Sequence, residues 1–222
     1  MTPAGHPLYD FAGCALAWKP DGKLTFIRRG EVWSLRIPCL RSEIEAGSPC
    51  ERVILTRRDL AKAVRFHPIV PSDPRYLGSV AAIELAWLSD MRAVVLLRIR
   101  LRGQLRGIGP VIALAFYEGR RLLTSVAFAG ATELRVSPRR NVVAVIEAGE
   151  RISILNQSGR VLVGPSELPA ANARAIAWSP NEEWIAMATR WSVYLLRSAD
   201  IAGGSEPRTL RLPLVAGDLA WR

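Results

Sequence analysis

Apolar and polar residues alternate with a period of two through most of this chain, and turn-forming residues cut the alternation into short lengths, which predicts strands joined by tight hairpins. The clearest instance spans residues 175–189: an apolar strand runs into Trp178, a polar turn follows at Ser179-Pro180-Asn181, and a second apolar strand begins at Trp184. The same pattern recurs around Trp18-Lys19-Pro20-Asp21-Gly22, around Trp87-Leu88-Ser89-Asp90 and around Val136-Ser137-Pro138-Arg139. A truncated copy, Asp218-Leu219-Ala220-Trp221, closes the sequence.

In chain order the first group of strands is expected at 14–18, 23–28, 31–37 and 51–56. The second is expected at 79–87, 93–99, 111–117 and 121–128, the third at 132–136, 142–147, 151–156 and 160–163, and the fourth at 174–178, 184–189, 192–197 and 208–212. Residues 214–221 then begin a fifth. The residues preceding the turns, Trp18, Val136, Trp178 and Trp221 with Trp87, lie 69, 49, 42 and 43 residues apart in chain order. Four strands per unit of about 40 residues is the spacing of propeller blades.

The long first interval contains an insertion, 57–78, that breaks the rhythm. Thr56-Arg57-Arg58-Asp59 has capping-box spacing with Asp in the last place, and the Leu60/Val64 pair predicts a short helix over 57–65. The stretch after it, with Pro68, Pro71 and Pro74, reads as a surface loop. Insertions of this length on regular scaffolds often carry function, so His67, Arg75 and Tyr76 are candidate contact residues.

The repeat resembles the blades of WD-repeat and TolB-type β-propellers, in which an apolar inner strand, a Ser-Pro-Asp-Gly turn and a second apolar strand follow one another. The residues carrying the resemblance are Trp18-Lys-Pro-Asp-Gly22, Val136-Ser-Pro-Arg139 and Trp178-Ser-Pro-Asn181. Later turns replace the glycine with Met91, Arg140 and Glu182, and no blade ends in a Trp-Asp pair, which tilts the resemblance toward the TolB-like variety. The implied architecture is all-β, with four complete four-stranded antiparallel blades, an extra C-terminal strand and one short helical insertion, in a single domain over 1–222 that is either whole or part of a larger propeller. Four blades and an orphan strand leave the ring open. Either residues before Met1 supply further strands, or Tyr9-Asp10-Phe11 pairs with 214–221 to seal a small propeller; both are expected ahead of closure by a partner. The tryptophans before the turns are expected in the blade cores, with Trp33, Trp184 and Trp191 packed between blades.

Charge adds one candidate face. The net charge is +10, and arginine supplies 27 of the 30 basic residues. Arg98, Arg100 and Arg102 alternate with Ile99 and Leu101, so their guanidinium groups share one side of a strand, and Arg106 follows in a glycine-rich loop. Such a row either guards a strand against unwanted pairing or contacts an anionic partner. Of the three cysteines, Cys39 and Cys50 bracket a short polar loop that a disulfide would close, and Cys14 is expected as a small buried hydrophobe. A Cys39–Cys50 bond implies a compartment outside the cytoplasm; the absence of a secretory signal after Met1 points to the cytoplasm. No run of apolar residues is long enough for a membrane helix.

The motifs of catalysis are missing. His6 and His67 are the only histidines, no Gly-x-Ser-x-Gly elbow occurs, and no metal-ligand spacing is present, so neither catalytic residues nor a cofactor are implied. The expected function is therefore a non-enzymatic binding or scaffold propeller for a protein or small ligand. The alternatives are an accessory propeller of a hydrolase, or a binder of nucleic acid or acidic lipid through the arginine-rich strand.

Overall fold

The computed structural model describes residues 14–36, 50–64, 70, 73–103, 110–128, 130–139, 141–147, 151–164, 173, 175–202 and 209–212. Within them, sixteen strands form four antiparallel sheets, each a meander of four consecutive strands. Blade 1 holds β1 (Cys14–Trp18), β2 (Leu24–Arg28), β3 (Glu31–Leu35) and β4 (Glu51–Leu55). Blade 2 holds β5 (Leu77–Trp87), β6 (Arg92–Leu101), β7 (Val111–Glu118) and β8 (Arg121–Phe128). Blade 3 holds β9 (Ala131–Val136), β10 (Val142–Glu147), β11 (Arg151–Asn156) and β12 (Val161–Val163). Blade 4 holds β13 (Ala175–Trp178), β14 (Trp184–Ala188), β15 (Val193–Arg197) and β16 (Thr209–Leu212). The extra C-terminal strand and the sealing pair 9–11 with 214–221 fall outside the described residues.

Tight turns hold each hairpin in register by satisfying the backbone where the ladder stops. In blade 1, Gly22 takes φ +80 and its N–H donates to the Lys19 carbonyl at 3.0 Å. Asp21 accepts from the backbone N–H and ammonium of Lys23 and from Lys19; burial opposes its charge, but these bonds outweigh it and bring its pKa down to about 2. In blade 4, serine does the corresponding work, because Ser179 Oγ accepts the Trp184 N–H at 2.9 Å. Ser137 Oγ does the same for the Asn141 and Val142 N–H groups in blade 3.

The middle strands of the blades are apolar on both faces, as at Val94–Leu97 and Val111–Tyr117, and burying both requires a sheet on each side. Blade 1 packs on blade 2 through Ile27 and Val32 against Leu85, Trp87, Val95 and Leu97. Blade 2 packs on blade 3 through Leu96, Leu114 and Phe116 against Leu134, Val143 and Val145. Blade 3 packs on blade 4 through Ile146, Ile152 and Ile154 against Ile176, Trp178 and Met187. The chain thus forms an ordered succession of blades, each seated on the one before.

The insertion begins as α1 (Arg57–Val64), capped as its spacing predicts. The Thr56 N–H donates to Asp59 Oδ2 at 3.1 Å, and the Asp59 N–H donates to Thr56 Oγ1 at 3.3 Å. Leu60, Ala63 and Val64 enter the blade 1–blade 2 core. A second short helix, α2 (Ser198–Ala202), follows β15, where the sequence pattern announced none.

Three expectations are corrected. Cys14 is exposed, because β1 is bulged between Cys14 and Ala17, with Ala15 at φ +50, and turns Cys14, Leu16 and Trp18 to an uncovered side. Trp18 is accordingly 57% exposed while Trp87 and Trp178, at the same place in the repeat, are buried. Trp191 is also exposed, sitting in the β14–β15 turn instead of between blades.

Candidate partner-binding face

Blade 2 differs from its neighbours in length. β5 and β6 have 11 and 10 residues, whereas the corresponding strands of blade 1 have 5 each, and the hairpin turns after Trp18 and Trp87 are aligned. The additional residues, Leu77 to about Ala82 and about Arg98 to Leu101, therefore extend the hairpin at the end opposite its turn. Among the described residues the β6–β7 ladder ends at the Ile99–Val111 pair, while the β5–β6 ladder continues to Leu101.

The extension has one apolar and one cationic side. Val80, Ile99 and Leu101 join the same core as Val64 and Val70 of the insertion. The opposite side presents Arg98, Arg100 and Arg102, all exposed, as their alternation predicts. Their cross-strand neighbours are uncharged: Arg98 lies between Ala81 and Ile112, and Arg100 is opposite Ser79. Among the described residues none of the three arginines makes an ion pair. Many other arginines do, including Arg28 with Glu51, Arg92 with Glu118 and Arg120 with Asp59.

The insertion returns to this same end. A 3-10 turn at Pro74–Tyr76 leads into β5, and the Tyr76 carbonyl accepts the Arg102 N–H at 2.7 Å. Gly78 permits the approach, since a Cβ there would lie 2.8 Å from the Arg100 carbonyl oxygen and 3.2 Å from Arg102 Cγ. The structure thereby brings together Arg100 and Arg102 with Tyr76, two groups of residues singled out separately in the sequence. Arg75 is less available than expected: its guanidinium grips the Asp73 carboxylate at 2.9 and 2.7 Å, and these bonds hold the Asp73 pKa below its ordinary value. Arg106, His67 and Cys39 lie outside the described residues. Cys50 is disulfide-bonded and Cys14 is free.

The clamp that fixes the insertion is electrostatic. Asp59, 7% exposed, receives Arg120 Nη2 at 2.6 Å and Lys62 Nζ at 3.0 Å. Burial alone would raise its pKa, but the bonds from Arg120, Thr56 and Lys62 outweigh burial and hold it well below the usual carboxylate range. Burial, with the Asp59 charge beside it, pushes the Tyr117 hydroxyl up.

A concavity that sequence reasoning did not find lies between blades 3 and 4. This cleft of about 570 Å³ is lined by Arg139, Asn181, Glu182, Glu183, Trp184, Arg197 and Ala199. Glu182 holds φ +59 in the place of a turn glycine, and its carboxylate accepts the Arg139 N–H. The signal available in the sequence was Glu182 at a position that favours glycine. Among the described residues no group of three or more His, Cys, Asp or Glu side chains is arranged to hold a metal ion, and no helix is long and apolar enough to cross a membrane.

Four successive four-stranded antiparallel blades define a β-propeller fold. Solved structures agree. The chain is similar to the tricorn protease, with a TM-score of 0.50 and 9% identity over 92% of this chain and 18% of that one. It is likewise similar to an oligogalacturonate lyase in complex with manganese, with a TM-score of 0.51 and 12% identity over 92% of this chain and 55% of that one. At such identities the likeness is one of fold, and the chain spans little more than half of the lyase and less than a fifth of the protease. No protein-family model matches the sequence, and no curated protein does.

Proposed function

We propose that this chain is a non-enzymatic binding propeller of the TolB-like variety, and that it docks an acidic, extended segment of a protein partner on Arg98, Arg100 and Arg102. The observation that supports the reading is the row itself: three exposed guanidinium groups on alternate residues of β6, facing uncharged neighbours and free of ion pairs among the described residues. Residues two apart on a strand repeat at about 6.6–6.8 Å. An extended peptide with carboxylates on alternate residues has the same repeat, so each guanidinium meets one carboxylate in a charge-assisted bond. Tyr76 adds an exposed amphipathic ring beside Gly103, the residue that follows Arg102. The Trp18-Lys-Pro-Asp-Gly22 turn and the lack of Trp-Asp blade ends support the TolB-like assignment.

The test is a fluorescence-anisotropy titration of the chain with a labelled peptide of alternating Glu and Val, at several salt concentrations. Binding that weakens as salt rises, and that the R98E/R100E/R102E variant reduces about tenfold or more, is expected; tenfold is about 1.4 kcal/mol, less than one typical charged hydrogen bond. Binding of single-stranded RNA or anionic vesicles with no binding of the peptide would overturn the protein-partner reading in favour of an anionic surface.

A further inference from the structure

The β13–β14 turn of blade 4 carries Glu182 where the matching turn of blade 1 carries Gly22. Glu182 holds φ +59, a conformation uncommon outside glycine, so nothing in the local backbone favours a glutamate there. Its carboxylate accepts the Arg139 N–H from the matching turn of blade 3 and ties the two turns together. Glu182 also stands where two hollows meet, because it lines both. The inner one is a chamber of about 190 Å³ with mostly apolar walls, from Val142, Ile154 and Leu162 of blade 3 and Trp178 and Ile185 of blade 4. The outer one is the cleft of about 570 Å³.

The cleft is lined by two guanidinium groups and two carboxylates, those of Arg139, Arg197, Glu182 and Glu183. Among the described residues none of the four makes an ion pair. Local structure keeps them apart. The Arg139 main chain already occupies Glu182, and the Arg197 guanidinium lies over the Trp184 ring, 5.3 Å from its centroid. Glu183 is fixed through its backbone, whose N–H donates to Asn181 Oδ1 at 3.2 Å and whose carbonyl accepts the Ser198 N–H at 3.0 Å. Charges of both signs thus line one hollow without pairing.

A ligand that completes this arrangement carries an ammonium and a carboxylate, with an apolar group next to one of them. The chamber is smaller than the range of about 300–1,000 Å³ usual for whole small-molecule sites, whereas the cleft lies within it. An apolar cavity of about 150 Å³ already accepts a benzene ring. The chamber therefore suits one large side chain, and the cleft suits the charged chain that bears it. Because Glu182 is at the junction, the ammonium belongs beside that side chain, which is the order found at the first residue of a peptide. The carboxylate then falls to Arg139 and Arg197. We infer that this cleft binds a short peptide with free ends, whose first side chain is large and apolar. The site shares no residue with the arginine row of β6.

Isothermal titration calorimetry of the full chain with the tripeptide Phe-Ala-Ala tests this, beside four probes that each lack one feature: its N-acetylated form, its C-terminal amide, Gly-Ala-Ala and free phenylalanine. Phe-Ala-Ala should bind with a dissociation constant below about 1 mM, and each of the four should bind about tenfold or more weakly. Two variants complete the test, with folding checked by circular dichroism. Glu182→Gln keeps an acceptor for the Arg139 N–H, and R139Q/R197Q alters two exposed positions, so both are expected to fold. Glu182→Gln should weaken Phe-Ala-Ala about tenfold and remove the effect of acetylating the probe; R139Q/R197Q should do the same for amidation. No binding of Phe-Ala-Ala, equal binding of Gly-Ala-Ala, or an acetylation loss as large in Glu182→Gln as in the unaltered chain would each overturn the proposal, as would an amidation loss unchanged in R139Q/R197Q. Free phenylalanine binding as tightly as the tripeptide would overturn the assignment to a peptide in favour of a single amino acid.

Discussion

The indole N–H of Trp87 donates to Thr25 Oγ1 at 2.8 Å, and the Thr25 hydroxyl in turn donates to the Ala17 carbonyl at 2.6 Å. This chain of two bonds crosses the junction from blade 2 into blade 1 inside the core, where Thr25 is fully buried. Thr25→Val keeps the shape but removes the acceptor. The expected cost is about 1–3 kcal/mol, since a buried donor loses its bond. Thermal unfolding should fall by about 2–4 °C for each kcal/mol in a chain of this size.

Two turn glycines act as spacers between blades. A Cβ on Gly30 would lie 2.8 Å from Ala81 Cβ of blade 2, and one on Gly159 would lie 2.7 Å from Thr124 Cγ2 and 3.0 Å from the Phe116 ring. Gly22 has the same positive φ but open space around it. Gly22→Ala should therefore cost only the backbone strain, about 1 kcal/mol. Gly30→Ala and Gly159→Ala should cost more, by about 1–3 kcal/mol of overpacking. Urea unfolding of the three variants should rank them in that order.

The Asp59 clamp makes part of the stability depend on pH. The folded pKa is depressed, so its contribution is complete above the unfolded value of about 3.9 and is lost as pH falls below it toward the folded value. Against Asp59→Asn, the unaltered chain should melt at a higher temperature at pH 5–7, and the gap should shrink from about pH 4 downward. A gap constant across that range would show that Asp59 contributes no charge-dependent stability.

The cysteines should separate by chemistry. Alkylation of native, unreduced protein should modify the exposed Cys14 and spare Cys50, which reacts only after reduction. Peptide mapping should then find Cys50 joined to Cys39, the pairing proposed from their spacing. Modification of Cys50 without reductant would contradict the disulfide.

Much of this architecture was legible because period-two alternation and turn chemistry are local. Strands such as Cys14–Trp18, Val142–Glu147 and Arg121–Phe128 need only their own residues to be recognised. The Thr56–Asp59 cap is equally local, as is the shared face of Arg98, Arg100 and Arg102. What escaped depends on partners distant in sequence. The place of Trp18 in the repeat says which face it occupies but not whether a blade covers that face. Arg75 is a free cation on paper, yet Asp73 neutralises it across the turn. The length of β5 and β6 was underestimated because Gly78 breaks the alternation, although its lack of a side chain is what lets the two strands stay together there. The helix Ser198–Ala202 is too short to show a period.

The most direct test of the binding account compares the row with scattered arginines of equal charge. Arg121, Arg160 and Arg190 are exposed and lie on blades 2, 3 and 4, off the row. The R98A/R100A/R102A and R121A/R160A/R190A variants remove the same three charges, and both are titrated with the alternating Glu-Val peptide at near-physiological salt. The account predicts a loss of affinity confined to the row variant, with the scattered variant binding like the unaltered chain. Equal losses in the two would mean that the peptide senses only the net charge of +10, and that β6 carries no binding site.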